Sequence, residues 1–155
     1  MADTIRERIL KAIVAKLKNM RAGEPTGDPY TITWSSVSRG PLPVFTKGKT
    51  AVVSVQDGEE AKTWKVGFAY PSLTITIHFS LYVPTDDEAS ERANAALGDI
   101  QRAMREDISF GGLAIAVEEQ KNDVYIFDDD ARHVEGALIY EVQYRHREND
   151  PRSLS

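Results

Sequence analysis

The sequence predicts an α+β domain: a mainly antiparallel β-sheet with two α-helices packed on one side. Three patterns predict it. Residues 73–83 alternate in polarity, with Leu73, Ile75, Ile77, Phe79, Leu81 and Val83 on one face. Two segments, near residues 4–20 and 85–108, carry apolar side chains at helical spacing. The remaining β-prone runs are joined by turns, as antiparallel strands are. A sheet split into a sandwich is the alternative arrangement.

The first helix, of about 17 residues, opens at Thr4. With Glu7 it forms a capping box in which each side chain satisfies a free amide. Ile5, Ile9, Ile13, Leu17 and Met20, widened by Leu10 and Val14, give it one apolar stripe. Gly23, Pro25, Gly27 and Pro29 end it. A strand is expected at about 30–38, ending where Pro41 and Pro43 bar pairing. Residues 50–56 read as a strand, Asp57-Gly58-Glu59-Glu60 as the turn out of it, and 61–69 as another strand before the long one. The second helix opens with a capping box of Thr85 and Glu88, with Asp86 and Asp87 at its positive end. Ala89, Ala93, Ala96, Leu97, Ile100, Ala103, Met104 and Ile108 form its apolar face, and Gly111-Gly112 stops it. Three strands are expected to follow, at about 113–118, 124–127 and 137–147.

The 155 residues suit one domain, 1–155, with 147–155 as an extended C-terminal tail. A chain that is 41% hydrophobic and 28% charged is not disordered, collagen-like or a coiled-coil rod. It has no cysteine, which excludes disulfides, thiolate metal sites and cysteine nucleophiles. No apolar run approaches the roughly 20 residues that span a membrane, and the charged start is not a secretion signal. The chain is expected to work where it is made.

The net charge of −5 is unevenly spread. Residues 1–80 hold 11 basic and 7 acidic side chains, a balance of +4; residues 81–155 hold 8 and 17, a balance of −9. An acidic chain without a long basic cluster is poorly suited to grip nucleic-acid phosphates. Two halves of opposite sign suit either a solvated surface or copies meeting head to tail.

No catalytic constellation stands out. Gly48-Lys49-Thr50 resembles the end of a phosphate loop, but Pro43 stands where the first glycine belongs and a strand, not a helix, follows. Asp128-Asp129-Asp130 with His133 reads as a solvated turn, since consecutive carboxylates diverge and a metal needs converging ligands. His78 and His146 lack a second histidine at ligand spacing, and no serine-nucleophile motif occurs. No cofactor, metal or catalytic residue is expected. The chain reads as one that works through its surfaces.

Several stretches resemble the tail terminator proteins of long-tailed bacteriophages. They are Ile5-Arg6-Glu7-Arg8-Ile9-Leu10 with Ala12–Ala15, then Val37-Ser38-Arg39-Gly40, the helix core Ala93–Ile100, Gly111-Gly112-Leu113-Ala114, and Tyr140–His146 with Asp150-Pro151. The likeness covers nearly the whole chain in order and length, through hydrophobicity and turns. It implies a non-enzymatic virion subunit that forms a homo-hexameric ring, ends the tail tube and joins tail to head. DNA would pass through the ring without specific binding, and tail-tube, neck or connector, and sheath proteins would be partners. The location implied is the head-proximal end of the tail, after assembly in the bacterial cytoplasm, with no membrane contact. A tail-tube or neck-joining subunit is the alternative within this class, and a small soluble enzyme or ligand-binding domain is the alternative outside it.

Subunit contacts are expected first from residues 39–49. Pro41 and Pro43 prevent regular pairing there, while Arg39, Leu42, Val44, Phe45, Lys47 and Lys49 supply apolar and basic contacts. Val44 and Phe45 folding back onto the chain's own core is an equal alternative. The tail, with Arg147 and Asp150, is the second candidate.

Overall fold

The computed structural model describes residues 2–27, 29–41, 51–83, 88–127 and 133–155. In chain order these form α1 (Ile5–Asn19), β1 (Ser36–Arg39), β2 (Ala51–Lys65), β3 (Phe68–Tyr82), α2 (Ala89–Glu106), β4 (Ala114–Ile126), β5 (His133–Tyr144) and β6 (His146–Arg147). The strands make one sheet in the order β1-β2-β3-β5-β4, with β6 beside the start of β3. Among the described strands only β1–β2 is a parallel pair. The fold is therefore α+β, and the strands form one sheet, not a sandwich.

Period-two patterning decides which face is covered. Leu73, Ile75, Ile77, Phe79 and Leu81 of β3 are fully buried, as are Leu138 and Val142 of β5. Ile5, Ile9, Leu10, Ile13 and Leu17 of α1 join the same core as Ala93, Ala96, Ile100 and Met104 of α2. α1 lies against β1 and β2, α2 lies against β5 and β4, and the two helices touch each other. The alanines of α2 shorten its side chains and allow the close approach.

Phe79 and Gly136 face each other across β3 and β5. A Cβ on Gly136 would lie 2.2 Å from Cζ of Phe79, so the ring fills the space that the missing side chain leaves. Trp34 packs at 6.0 Å and 48° to the same ring.

Several boundaries differ from the sequence reading. Of the expected strand at 30–38, only Ser36–Arg39 enters the sheet. Tyr30, Ile32 and Trp34 still bury alternate side chains, but the amides of Thr31 and Ile32 donate to Oδ2 of Asp99 on α2, at 2.8 and 2.7 Å. Burial raises the Asp99 pKa, against those two amide bonds, which lower it. Asp57–Glu60 is not a turn. β2 runs through it with a bulge between Asp57 and Glu60, and the reversal comes at Val66-Gly67, where Gly67 has φ +81°. The expected strand at 61–69 is thus the end of β2 and the start of β3. β4 is likewise one strand, not two, bulged between Ala114 and Ala116 and between Glu119 and Lys121. The run expected at 137–147 divides into β5, which starts at His133, and the short β6.

The helix ends differ too. Thr4 accepts from the Glu7 amide at 3.1 Å, but the Glu7 carboxylate accepts from Arg39 at 2.8 Å instead of closing the capping box. α2 begins at Ala89 after Glu88, which makes no side-chain cap, and Thr85–Asp87 lie outside the described residues. It ends at Glu106, five residues before Gly111. Asp107 stops it by accepting from the amides of Ser109 and Gly111, and this leaves Ile108 exposed rather than on the apolar face.

Gly136→Ala should cost about 1–3 kcal/mol by overpacking, read as a lower urea midpoint. Gly136→Ala with Phe79→Leu should recover part of the loss, because the second change removes the clash.

Candidate assembly surfaces

Residues 1–80 build α1 and β1–β3, and residues 81–155 build α2, β4, β5 and β6. In the sheet order the two halves of the chain lie side by side, apart from β6. Among the described residues, α1 with β1–β3 carries more basic than acidic side chains and α2 with β4 and β5 more acidic than basic, so the imbalance divides across the sheet. An uneven sequence becomes an electrostatic gradient across the sheet.

On the basic flank, charges knit α1 to the sheet. Arg6 Nη2 donates to Asp57 Oδ2 at 2.6 Å and its other nitrogen lies 3.6 Å from Glu60. Arg39 bridges Glu7 at 2.8 Å and Asp57 at 3.5 Å. The Tyr144 hydroxyl donates to Glu60, joining β5 to the cluster. The bulge between Asp57 and Glu60 makes this possible, since both carboxylates then face α1. The hydrogen bond from Arg6 holds the Asp57 carboxyl below its ordinary value.

Arg39 therefore anchors α1 and β1 within one chain. Leu42, Val44, Phe45, Lys47 and Lys49 lie outside the described residues, as does the Gly48-Lys49-Thr50 sequence. Arg147 sits in β6 opposite Phe68, and its amide donates to Ser153 at 2.9 Å. Asp150 closes the turn that follows: its amide donates to the Arg147 carbonyl at 3.2 Å and its Oδ1 accepts from the Arg152 amide at 3.0 Å. From there the tail doubles back to the start of α1. The Ile5 amide donates to the Pro151 carbonyl at 2.9 Å and Arg152 Nε to the Ala2 carbonyl at 2.8 Å, while Leu154 packs on the core. The expected surfaces thus fall at two separate places, Arg39 beside α1 and Arg147 with Asp150 at the hairpin end.

Among the described residues, the chemistry-bearing side chains do not converge. His78 lies on the outer sheet face between Ser54 and Ala137, His133 stacks on Phe127 at 4.7 Å, and His146 is buried with Nδ1 2.6 Å from the Arg147 carbonyl. Asp128–Asp130 lie outside the described residues. No group of three or more metal-ligating side chains gathers among the described residues. A groove of about 240 Å³ beside Tyr70, Pro71, Ile115 and Tyr144 is mostly apolar. No described helix is long and apolar enough to cross a membrane.

Sequence reasoning passed over the exposed apolar residues. Among the described residues these are Trp64, Val66, Tyr82, Ile108, Ile115, Tyr125, Ile126 and Phe127. A sequence signal existed: Val66-Gly67 is a turn pair between β-prone runs.

No protein-family profile matches the chain, and no curated protein sequence matches it. Among solved structures, it is similar to a chain described as the virion of a native gene transfer agent (GTA) particle. The TM-score is 0.45 and the identity 13%, over 92% of both chains.

Asp57→Asn should lower stability by about 0.5–1 kcal/mol at neutral pH, the range of a partly screened ion pair. The Asp57 pKa is lower in the folded chain, so its contribution is full above the ordinary value of 3.8 and is lost as the pH falls through the folded value. Urea midpoints of variant and wild type should therefore differ at pH 7 and converge on acidification below 3.8.

Proposed function

We propose that this chain is a structural virion subunit that closes into a ring at the head-proximal end of a phage tail, where it ends the tail tube and meets the neck. The observation that carries the reading is the ordered likeness to tail terminators. Its stretches fall on elements that define this fold: the start of α1, β1, the buried face of α2, the turn into β4, and β5 with β6. The exposed apolar side chains and the charge gradient support assembly with like chains. A hexamer is the ring size the likeness implies, and catalysis has no part in the reading. The acidic total charge suits a channel that lets DNA through without holding it.

Electron microscopy and mass measurement of the purified chain test this. Isolated or paired rings with sixfold symmetry are expected; long stacked tubes would indicate a tube subunit, and a monomer at all concentrations would overturn the reading. Residues 39–49 remain a proposed contact. Phe45→Asp should leave a folded chain that no longer forms rings, because a buried aromatic at an interface contributes about 2 kcal/mol or more. Intact rings from that variant would remove this loop from the interface.

A further inference from the structure

We infer that copies of this chain join corner to corner: the β2–β3 hairpin tip of one packs against the β4–β5 end of the next. The inference rests on the ring reading and names the surfaces that would build it. Six of the eight exposed large apolar side chains among the described residues lie at these two places. Trp64 lies near the end of β2, and Val66, in the β2–β3 turn, is fully exposed. Tyr82, Tyr125, Ile126 and Phe127 lie where β3 and β4 end and β5 begins.

The two places are diagonal corners of the sheet. β3 carries the first at Phe68 and the second at Tyr82, about 46 Å apart at the usual strand rise. The second corner lies on the acidic flank, and the first draws Arg145 and Arg147 from the otherwise acidic half of the chain. Two different patches on opposite corners make a heterologous contact, which gives a closed ring or an open chain according to the rotation between copies.

The charges at the corners are complementary. At the first, Lys65 lies over Tyr70 at 5.3 Å and Arg145 over Phe68 at 5.2 Å, with Arg147 beside them and Glu148 and Asp150 the nearby acids. At the second, the exposed Asp123 and the half-buried Glu135, which lies 3.4 Å from His133 Nε2, adjoin Tyr125. The first corner thus joins an apolar centre to an excess of cations, and the second joins one to an excess of carboxylates. A contact of this kind desolvates the aromatic anchors and uses the rim charges to select the partner.

Among the described residues, neither sheet edge invites strand addition. β1, at one edge of the sheet, is four residues long. β4, at the other, carries two bulges and the exposed charges Glu118, Lys121 and Asp123, features that stop strands adding to an edge. The core face is covered by both helices.

The test uses two charge-reversed variants of the whole chain, Lys65→Glu with Arg145→Glu, and Asp123→Lys with Glu135→Lys. Assembly is read by sedimentation and folding by circular dichroism. Each variant alone presents like charges at both corners and should assemble at least tenfold more weakly than wild type. An equimolar mixture should recover assemblies with equal amounts of both, because each acidic corner then meets a basic one. Val66→Asp, at an exposed turn position where unfolding is not expected, should weaken assembly by a similar factor. Wild-type rings with undiminished assembly of the variants, or a mixture that fails to recover, would overturn the corner contact while leaving the ring reading intact. A monomeric wild-type chain would overturn both.

Discussion

The structure depends on one close approach, the Phe79 ring lying over Gly136 at the middle of the sheet. Directly opposed residues of an antiparallel pair bring their Cβ atoms within about 5 Å, too close for a large ring beside another side chain. Gly136 resolves the conflict by having none. The pairing also fixes register. A slip of one residue between β3 and β5 would set the ring against a side chain and turn every apolar residue of β5 to the wrong face. Trp34, packed on the same ring, extends the constraint to the irregular segment before β1, which Asp99 of α2 holds through two backbone amides. One aromatic in the central strand thus connects the sheet, the segment leading to β1 and, through Asp99, the second helix.

The polar interactions are organised around that core. Of the three bulges, those after Asp57 and Glu119 lie where burial gives way to exposure. The one in β2 turns Asp57 and Glu60 toward Arg6, so that α1 is held by charge at the rim as well as by its apolar stripe. The C-terminal turn fastens the other side of the same helix start through Pro151 and Arg152. α1 is therefore tied at its first turn to the middle of the chain and to its end. For this reason the segment after Arg147, which has no apolar periodicity of its own, is ordered by its backbone hydrogen bonds and by Leu154.

How much could be read from the sequence follows from where burial is one-sided. β3 and α2 were legible because one face of each is covered and the other is not, which is the condition that produces a clean period. Asp57–Glu60 was misread as a turn, and 119–123 as a break between two strands, for the opposite reason. They lie in strand segments that are largely exposed, so polarity carries no alternation and looks like loop composition. Residues 30–35 show the reverse case: burial alternates, yet the backbone bonds to a carboxylate instead of a strand. Of the expected contact residues, Arg39, Arg147 and Asp150 were legible as charged groups near breaks in structure. Their roles within the chain depend on Glu7, Phe68 and Ser153, partners distant or unmarked in sequence. Trp64 and Val66 were hidden because the reversal was placed at Asp57–Glu60, which put both inside a strand instead of at its exposed tip.

The same geometry limits how such a domain can grow into a larger object. A two-layer α+β fold leaves one sheet face and two sheet edges unfinished, and edges invite uncontrolled strand addition. Here the edges are closed by brevity and by bulges, and the outer face is mostly hydroxyl and amide side chains such as Thr74, Thr76, Ser72 and Gln56. Apolar surface survives chiefly where strands project past the helices, at corners held apart by the full length of β3. A surface that is apolar only at separated places favours discrete contacts over a continuous polymerising seam. In the proposed assembly the unequal charge of the two corners would make those contacts directional, because a corner meets its opposite more readily than its equal. Closed, directional contacts are what a ring requires, and an isologous dimer would need neither the charge gradient nor the diagonal placement.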